Sequence, residues 1–290
     1  MPLKGHSRHM FFLPLFDDNP TSRPPLVSWM ILALCILIFL IQATQPDRSQ
    51  YEILLRFATI PAVVTGEAQL PQALQSIPSW STLISSTFLH GGWMHLGGNM
   101  LYLWIFADNV EDRMGPFKFL LFYLICGMAA SLAHVLIDPA STTPLVGASG
   151  AIAGVLAAYL LMFPRAKVRV IMVILIFIRW IHIPAFVVLG VWILLQIVAA
   201  PSSLAGDGGG TAYFAHIGGF IAGLVLTPFF RRRGVVLLPK QEEPPQWDIS
   251  PVSGRQVRDE FKSRYRYRRA GRTDIPSIQR QETKRKGPWG

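Results

Sequence analysis

Apolar residues along this chain fall in long unbroken runs rather than in the half-polar alternation of a soluble domain. Residues 26–44 and 211–230 contain no Asp, Glu, Lys or Arg, and each is near the ~20 residues a helix needs to cross a bilayer core. The same pattern places six candidate spans at about 26–44, 93–110, 117–137, 149–163, 183–200 and 211–230. In hydrocarbon every backbone polar group must be satisfied internally, so only helices or closed barrels can cross. These runs are too long and too continuously apolar for barrel strands, and they predict an all-α membrane protein of six transmembrane helices.

Residues 165–182 interrupt the pattern. Their apolar centre, 170–178, is nine residues bracketed by Arg169 and Arg179, too short to span at 1.5 Å rise per residue. Pro184 then suits the first turn of a new helix. Residues 165–182 are therefore expected to form a cytoplasmic loop that dips to the interface.

Composition agrees with a membrane class: 51% of residues are hydrophobic and 15% charged. From Arg231 onward there are 16 Lys and Arg against 7 Asp and Glu, and before it 11 against 10, so the net charge of +10 resides almost wholly in the tail. Such a tail, 231–290, reads as a solvated, disordered cytoplasmic segment, with anionic lipid headgroups as the alternative partner; nucleic acid is not expected. Residues 1–25 form a cytoplasmic N-terminal segment. No secretory signal is expected, because the first apolar run begins after 25 residues without a small-residue cleavage pattern behind it. Cys35 and Cys126 lie inside apolar runs without metal or disulfide spacing, so neither metal nor cofactor is expected.

Charge also orients the spans. With the N-terminus inside, inner segments hold Lys4, Arg8, Arg23, Arg113, Lys118, Arg165, Lys167, Arg169 and Arg179, while outer loops hold only Arg48 and Arg56. An excess of Lys and Arg on the cytoplasmic side predicts both termini inside.

In that topology the second, fourth and sixth spans all enter from outside, and each carries polar residues near its start. His95 and Asn99 share one helix face by their i, i+4 spacing. Ser149 opens the fourth span, and His216 lies about a turn and a half into the sixth. Gly150 with Gly154, and Gly219 with Gly223, form GxxxG faces that let helix backbones approach closely in lipid. Hydrogen-bond reach between Ser149 and His216 follows if those faces meet.

The chemistry such a cluster suits is acyl transfer. A serine hydroxyl needs a base to accept its proton, which imidazole can do near neutral pH. The backbone N–H groups of residues 147–150, at a helix N-terminus, suit a developing oxyanion, and His95 and Asn99 are candidate side-chain donors. No carboxylate accompanies the pair inside the membrane, so a Ser-His dyad is expected, with burial and packing orienting the imidazole. Duller readings stand beside each residue: a serine in a G-x-S-G string is usually a turn or a cap, and an intramembrane histidine often serves helix packing. His134 is read as structural, His90 as an anchor of the outer segment, and His182, His6 and His9 as misplaced for the chemistry.

The strings F-L-H-G-G-W-M-H-L-G-G-N at 88–99, E-D-R-M-G at 111–115, G-A-S-G at 147–150 and A-H-I-G-G-F-I-A-G at 215–223 together resemble the rhomboid family of intramembrane serine proteases, over about residues 20–232. The resemblance implies a six-helix rhomboid bundle at 26–230 with Ser149 as nucleophile, His216 as general base, and an oxyanion hole formed by His95, Asn99 and the Ser149 N–H. Gly147 belongs to the same motif. The resemblance also implies a structural role for Glu111 and Arg113, holding the loop that follows them, and an outer loop at 45–92 lying partly in the membrane. Some members carry a tyrosine one turn beyond the serine, packed on the histidine, where this chain has Ala153. Substrates would be single-span or multi-span membrane proteins, and in a bacterium the membrane would be the plasma (inner) membrane. The competing classes are a non-catalytic rhomboid-like protein that holds client helices and, further off, a transporter; no internal repeat supports the latter.

Overall fold

The computed structural model describes residues 10–174, 177–204 and 212–239. The chain divides after Lys240 into two units, and every element below belongs to the first. Residues 1–9, with Lys4, His6, Arg8 and His9, lie outside the described residues, as do Thr211 and the tail from residue 240.

The order is β1 (Met10–Asp17), α1 (Leu26–Ala43), α2 (Asp47–Phe57), α3 (Pro61–Thr65), α4 (Thr82–Ser85), α5 (Trp93–Met114), α6 (Pro116–Ile137), α7 (Ser149–Met162), β2 (Lys167–Ile174), β3 (Phe177–Pro184), α8 (Ala185–Leu204) and α9 (Tyr213–Phe230). The six longest apolar runs are all helical, with ends within four residues of those expected. Among the described residues, four helices are long and apolar enough to cross a membrane: α1, α6, α8 over Ala185–Ser202, and α9. Their outward residues, among them Leu34, Leu37, Leu132, Leu194, Val198 and Val225, are exposed, as lipid-facing side chains are.

The core is α7. Every residue from Gly150 to Tyr159 is buried, and the helix packs against α5, α6 and α9. It can be so enclosed because its residues are small: Gly150, Ala151, Ala153, Gly154, Ala157 and Ala158 allow neighbours on all sides.

Residues 167–184 correct the expected interfacial loop. They form a β-hairpin, and β1 pairs with it to give a three-stranded antiparallel sheet in the order β1-β2-β3. Met10 pairs with Ile174 and Asp17 with Val168, with a shift of register between Pro14 and Phe16; Lys167 pairs with Pro184 and Ile174 with Phe177. Val, Ile and Phe dominate these strands, as suits a pleated half-buried surface. Pro184 ends β3 instead of opening a helix, and α8 begins one residue later. The fold is thus mostly helical, with a small sheet added to the all-α plan.

Both flanking segments are docked where they are described. Residues 10–17, expected as part of a plain N-terminal segment, form β1. The start of the tail, expected to be disordered, is anchored: Arg232 N–H donates to the Arg113 carbonyl at 2.8 Å and Leu238 N–H to the Leu161 carbonyl at 2.7 Å.

Glu111 also departs from expectation. Its buried carboxylate accepts from Val27 N at 3.0 Å, Ser28 N at 2.8 Å and Ser28 Oγ at 2.7 Å. It therefore caps the N-terminus of α1, which lacks a side-chain cap of its own, rather than holding the loop after α5. The α5–α6 connection needs no such holding, since Gly115 alone separates the two helices. The Arg113 guanidinium lies 5.2 Å from the centre of the Phe163 ring.

Candidate active site

The site is built where α7 and α9 touch. A β-carbon on Gly154 would lie 2.5 Å from Cys126 Sγ and 3.2 Å from the Gly219 carbonyl oxygen, and one on Gly219 or Gly223 would strike the carbonyls of Gly150 and Gly154. The two glycine faces meet backbone to backbone. That contact brings the start of α7 beside the first turns of α9, and His216 Nε2 lies 2.8 Å from Ser149 Oγ.

Ahead of Ser149 the chain is held in a conformation that needs glycine. Gly147 has φ +123°, where side chains are strained. Any β-carbon there would also lie 2.7 Å from His95 Nε2 and 3.6 Å from Asn99 Nδ2. The absence of a side chain lets His95 and Asn99 come up against the approach to Ser149. Asn99 is buried, and its Nδ2 donor has no hydrogen-bond partner among the described residues. A buried, unpaired donor against the approach to Ser149 can receive negative charge without giving up an existing bond.

The 45–92 segment holds this approach in place. Gly147 N–H donates to the Ser86 carbonyl at 2.9 Å, and Thr59 and Leu145 exchange backbone hydrogen bonds at 3.1 and 2.8 Å. Thr59 Oγ1 donates to the Thr82 carbonyl at 2.9 Å and lies 3.0 Å from Ser86 Oγ.

His90 is fully buried, its ring 5.4 Å from that of His95, and its backbone carbonyl accepts from Gln42 Nε2 at 2.9 Å. That contact ties the segment to α1. His95 Nδ1 accepts from Gly91 N at 3.4 Å. His182 lies elsewhere, in β3, 3.7 Å from Asp18 Oδ2, and His134 in α6 makes no bond to Ser149 or His216.

Two residues of the site were not foreseen. The expected dyad left orientation of the imidazole to packing, but His216 Nδ1 lies 2.7 Å from Gln196 Oε1 of α8. Ala153 is buried in α7, and the indole of Trp192 packs on His216, with centroids 5.8 Å apart and planes inclined by 37°. The one available signal was spacing: Trp192 and Gln196 stand i, i+4 on a helix otherwise apolar from 185 to 200.

A model of the Rhomboid domain matches residues 78–233, more than half of the chain. The chain belongs to the rhomboid family, and is an integral membrane protein of that family. It is 32% identical over 161 residues to Rhomboid-like protein 11, chloroplastic, of Arabidopsis thaliana, covering 52% of each chain. It is 33% identical over 160 residues to Rhomboid protein 1, mitochondrial, of Saccharomyces cerevisiae, covering 51% of this chain and 41% of the relative. Over 136 residues it is 32% identical to Rhomboid protease GluP of Bacillus subtilis, covering 47% of this chain and 24% of that one. The chain thus spans about half or less of the length of these relatives.

Proposed function

We propose that this protein is an intramembrane serine endopeptidase that cleaves membrane-anchored proteins near the outer face of the bilayer. The observation that carries the reading is the 2.8 Å approach of His216 Nε2 to Ser149 Oγ at the head of a buried helix. In the proposed topology α1, α5, α6, α7, α8 and α9 cross the bilayer and both termini are cytoplasmic.

Ser149 Oγ attacks the scissile carbonyl carbon while its proton passes to His216 Nε2. The carbonyl oxygen becomes an oxyanion, received by the Ser149 N–H, Asn99 Nδ2 and His95. Collapse of the tetrahedral intermediate breaks the C–N bond, and His216 returns the proton to the leaving amine. Water, activated by the same imidazole, then hydrolyses the acyl-enzyme and frees Ser149.

The helix α7 has 14 residues, roughly 21 Å at 1.5 Å each, so its serine can begin below the outer surface. A substrate helix must unwind to expose a peptide bond, so small or helix-breaking residues near the cut should favour cleavage.

The test is co-expression of a tagged single-span reporter with wild type, Ser149→Ala and His216→Ala. A fragment released outward by wild type alone is expected. Equal fragment from all three would remove the mechanism. A wild-type protein that binds the reporter, releases no fragment and resists a fluorophosphonate would instead be a rhomboid-like helix binder.

A further inference from the structure

Among the described residues, α8 is the least enclosed of the four long apolar helices, with 17% of Ala185–Ser202 buried. Between residues 185 and 200 it has a single amide side chain, Gln196, and no charge. A primary amide in hydrocarbon is costly unless it is hydrogen-bonded. This one turns inward and meets His216 Nδ1 at 2.7 Å. One turn earlier on the same face, Trp192 lies over the imidazole and also beside Phe220, at 6.5 Å between centroids.

We propose that Gln196 is the positioning residue of the site, taking the place a carboxylate holds in a Ser-His-Asp triad. The proposal rests on the protease reading above. Nε2 can accept a proton from Ser149 only if Nδ1 carries the other ring hydrogen. The Gln196 carbonyl oxygen accepts that hydrogen and so selects the competent tautomer. It also fixes the ring against rotation about χ2, which a packed indole alone would allow by a half-turn flip. Being neutral, Gln196 adds no full charge to offset the imidazolium. It orients the base without making it much stronger, which distinguishes it from the carboxylate of a triad. Gln196 touches neither substrate nor the reacting atoms and acts through His216.

This assignment makes α8 part of the catalytic apparatus. A displacement of α8 large enough to lengthen the Gln196–His216 bond would release the tautomer, so the position of α8 and the competence of the base are linked.

The test uses the full-length protein in detergent or liposomes with a quenched membrane-anchored peptide substrate. It measures kcat, KM and the pH dependence of kcat/KM for wild type, Gln196→Leu and Gln196→Glu, with Ser149→Ala as control. Gln196→Leu should lose kcat by about ten- to a hundredfold with KM nearly unchanged, the scale expected when a reacting group is misplaced. Gln196→Glu keeps the acceptor and should restore kcat towards the wild-type value. Its carboxylate favours the imidazolium, so the acidic limb of its profile should move to higher pH by about one unit.

A Gln196→Glu profile that superimposes on wild type, or a folded Gln196→Leu whose kcat is within twofold of wild type, overturns the proposal. Should Gln196→Leu fail to fold, the near-isosteric Gln196→Glu still decides through its pH profile. Undiminished cleavage by Ser149→Ala would overturn the protease reading itself, and the role of Gln196 with it. Loss in Ser149→Ala without any effect at Gln196 would overturn the positioning role alone.

Discussion

The hydroxyl of Tyr159, in the last turn of α7, donates to Asp17 Oδ2 of β1 at 2.5 Å. The same carboxylate oxygen accepts from Asn109 Nδ2 of α5 at 3.0 Å, and Asn109 Oδ1 accepts from Asn19 Nδ2 at 2.6 Å. The end of the helix opposite Ser149 is therefore fastened to the strand that precedes α1. A small sheet and a central helix share one polar clasp, and the helix that presents Ser149 is held at both ends.

That clasp has a pH signature. Burial pushes the Asp17 carboxyl up to about 6, the neighbouring Asp108 adding to the rise against the Tyr159 hydrogen bond. An acid that binds its proton more tightly folded than unfolded costs nothing below about pH 4. It destabilises progressively as pH rises towards and through about 6, because the unfolded chain then binds fewer protons. Asp17→Asn, which keeps an acceptor for Tyr159, should abolish this slope. Measured by thermal unfolding in detergent, wild type should lose up to about 2 kcal/mol relative to Asp17→Asn between pH 4 and 7, a ceiling set by partial solvent screening. Parallel pH curves for the two proteins would contradict the assignment.

The cap on α1 gives a second expectation. Glu111→Ala would strand two backbone N–H groups and the Ser28 hydroxyl in a buried place, at a cost of about 3 kcal/mol. Glu111→Gln presents one acceptor oxygen in place of two and should lose about half as much. Unfolding temperatures of the two variants, ordered wild type, Gln, Ala, would support the cap. A Gln variant less stable than Ala would point to some other role.

What could be read from residue order and what could not divides along physical lines. The apolar runs were legible because hydropathy over ~20 residues is a property of the segment alone. The meeting of Ser149 and His216 was approachable because Gly150, Gly154, Gly219 and Gly223 mark two faces by local spacing. The sheet was not read, although Val and Ile crowd residues 168–183. Its third strand comes from residues 10–17, more than 140 residues away and interrupted by Pro14. Gln196 shares a helix face with Trp192 by i, i+4 spacing, but that spacing names no partner, which is set by how α8 docks. Glu111 lies in the last turn of α5, but its bonds go to α1, a tertiary approach that no local spacing encodes.

The backbone contact of α7 with α9 should be intolerant of a single methyl group. In Gly219→Ala the new carbon meets the Gly150 carbonyl, which is backbone and cannot rotate away. The helices must separate, and overpacking of this kind typically costs about 1–3 kcal/mol. Separation also lengthens the Ser149–His216 approach, so fluorophosphonate labelling should fall by about tenfold or more. Gly97→Ala is the control, since a β-carbon there meets nothing within 4 Å; it should fold as well as wild type. Wild-type labelling and stability in Gly219→Ala would mean the two helices are not held by this contact.

Asn99 separates a catalytic from a packing role most cleanly, because its Nδ2 is buried without a partner among the described residues. Removing an unpaired donor breaks no hydrogen bond of the resting protein through that atom, so Asn99→Ala should leave the unfolding temperature almost unchanged. If Nδ2 receives the oxyanion, the interaction it makes exists only during reaction, and kcat should fall by ~10²–10³ with KM nearly constant. Asn99→Asp is the sharper variant. It has nearly the same size, lacks the donor, and brings negative charge to the place where negative charge develops, so its rate should fall at least as far as that of the alanine variant. A packing role predicts the reverse order, with Asp better tolerated than Ala and stability falling in step with rate. Steady-state kinetics and thermal unfolding on the two variants decide between these orders, and a kcat within threefold of wild type in Asn99→Ala would take Asn99 out of the proposed oxyanion site.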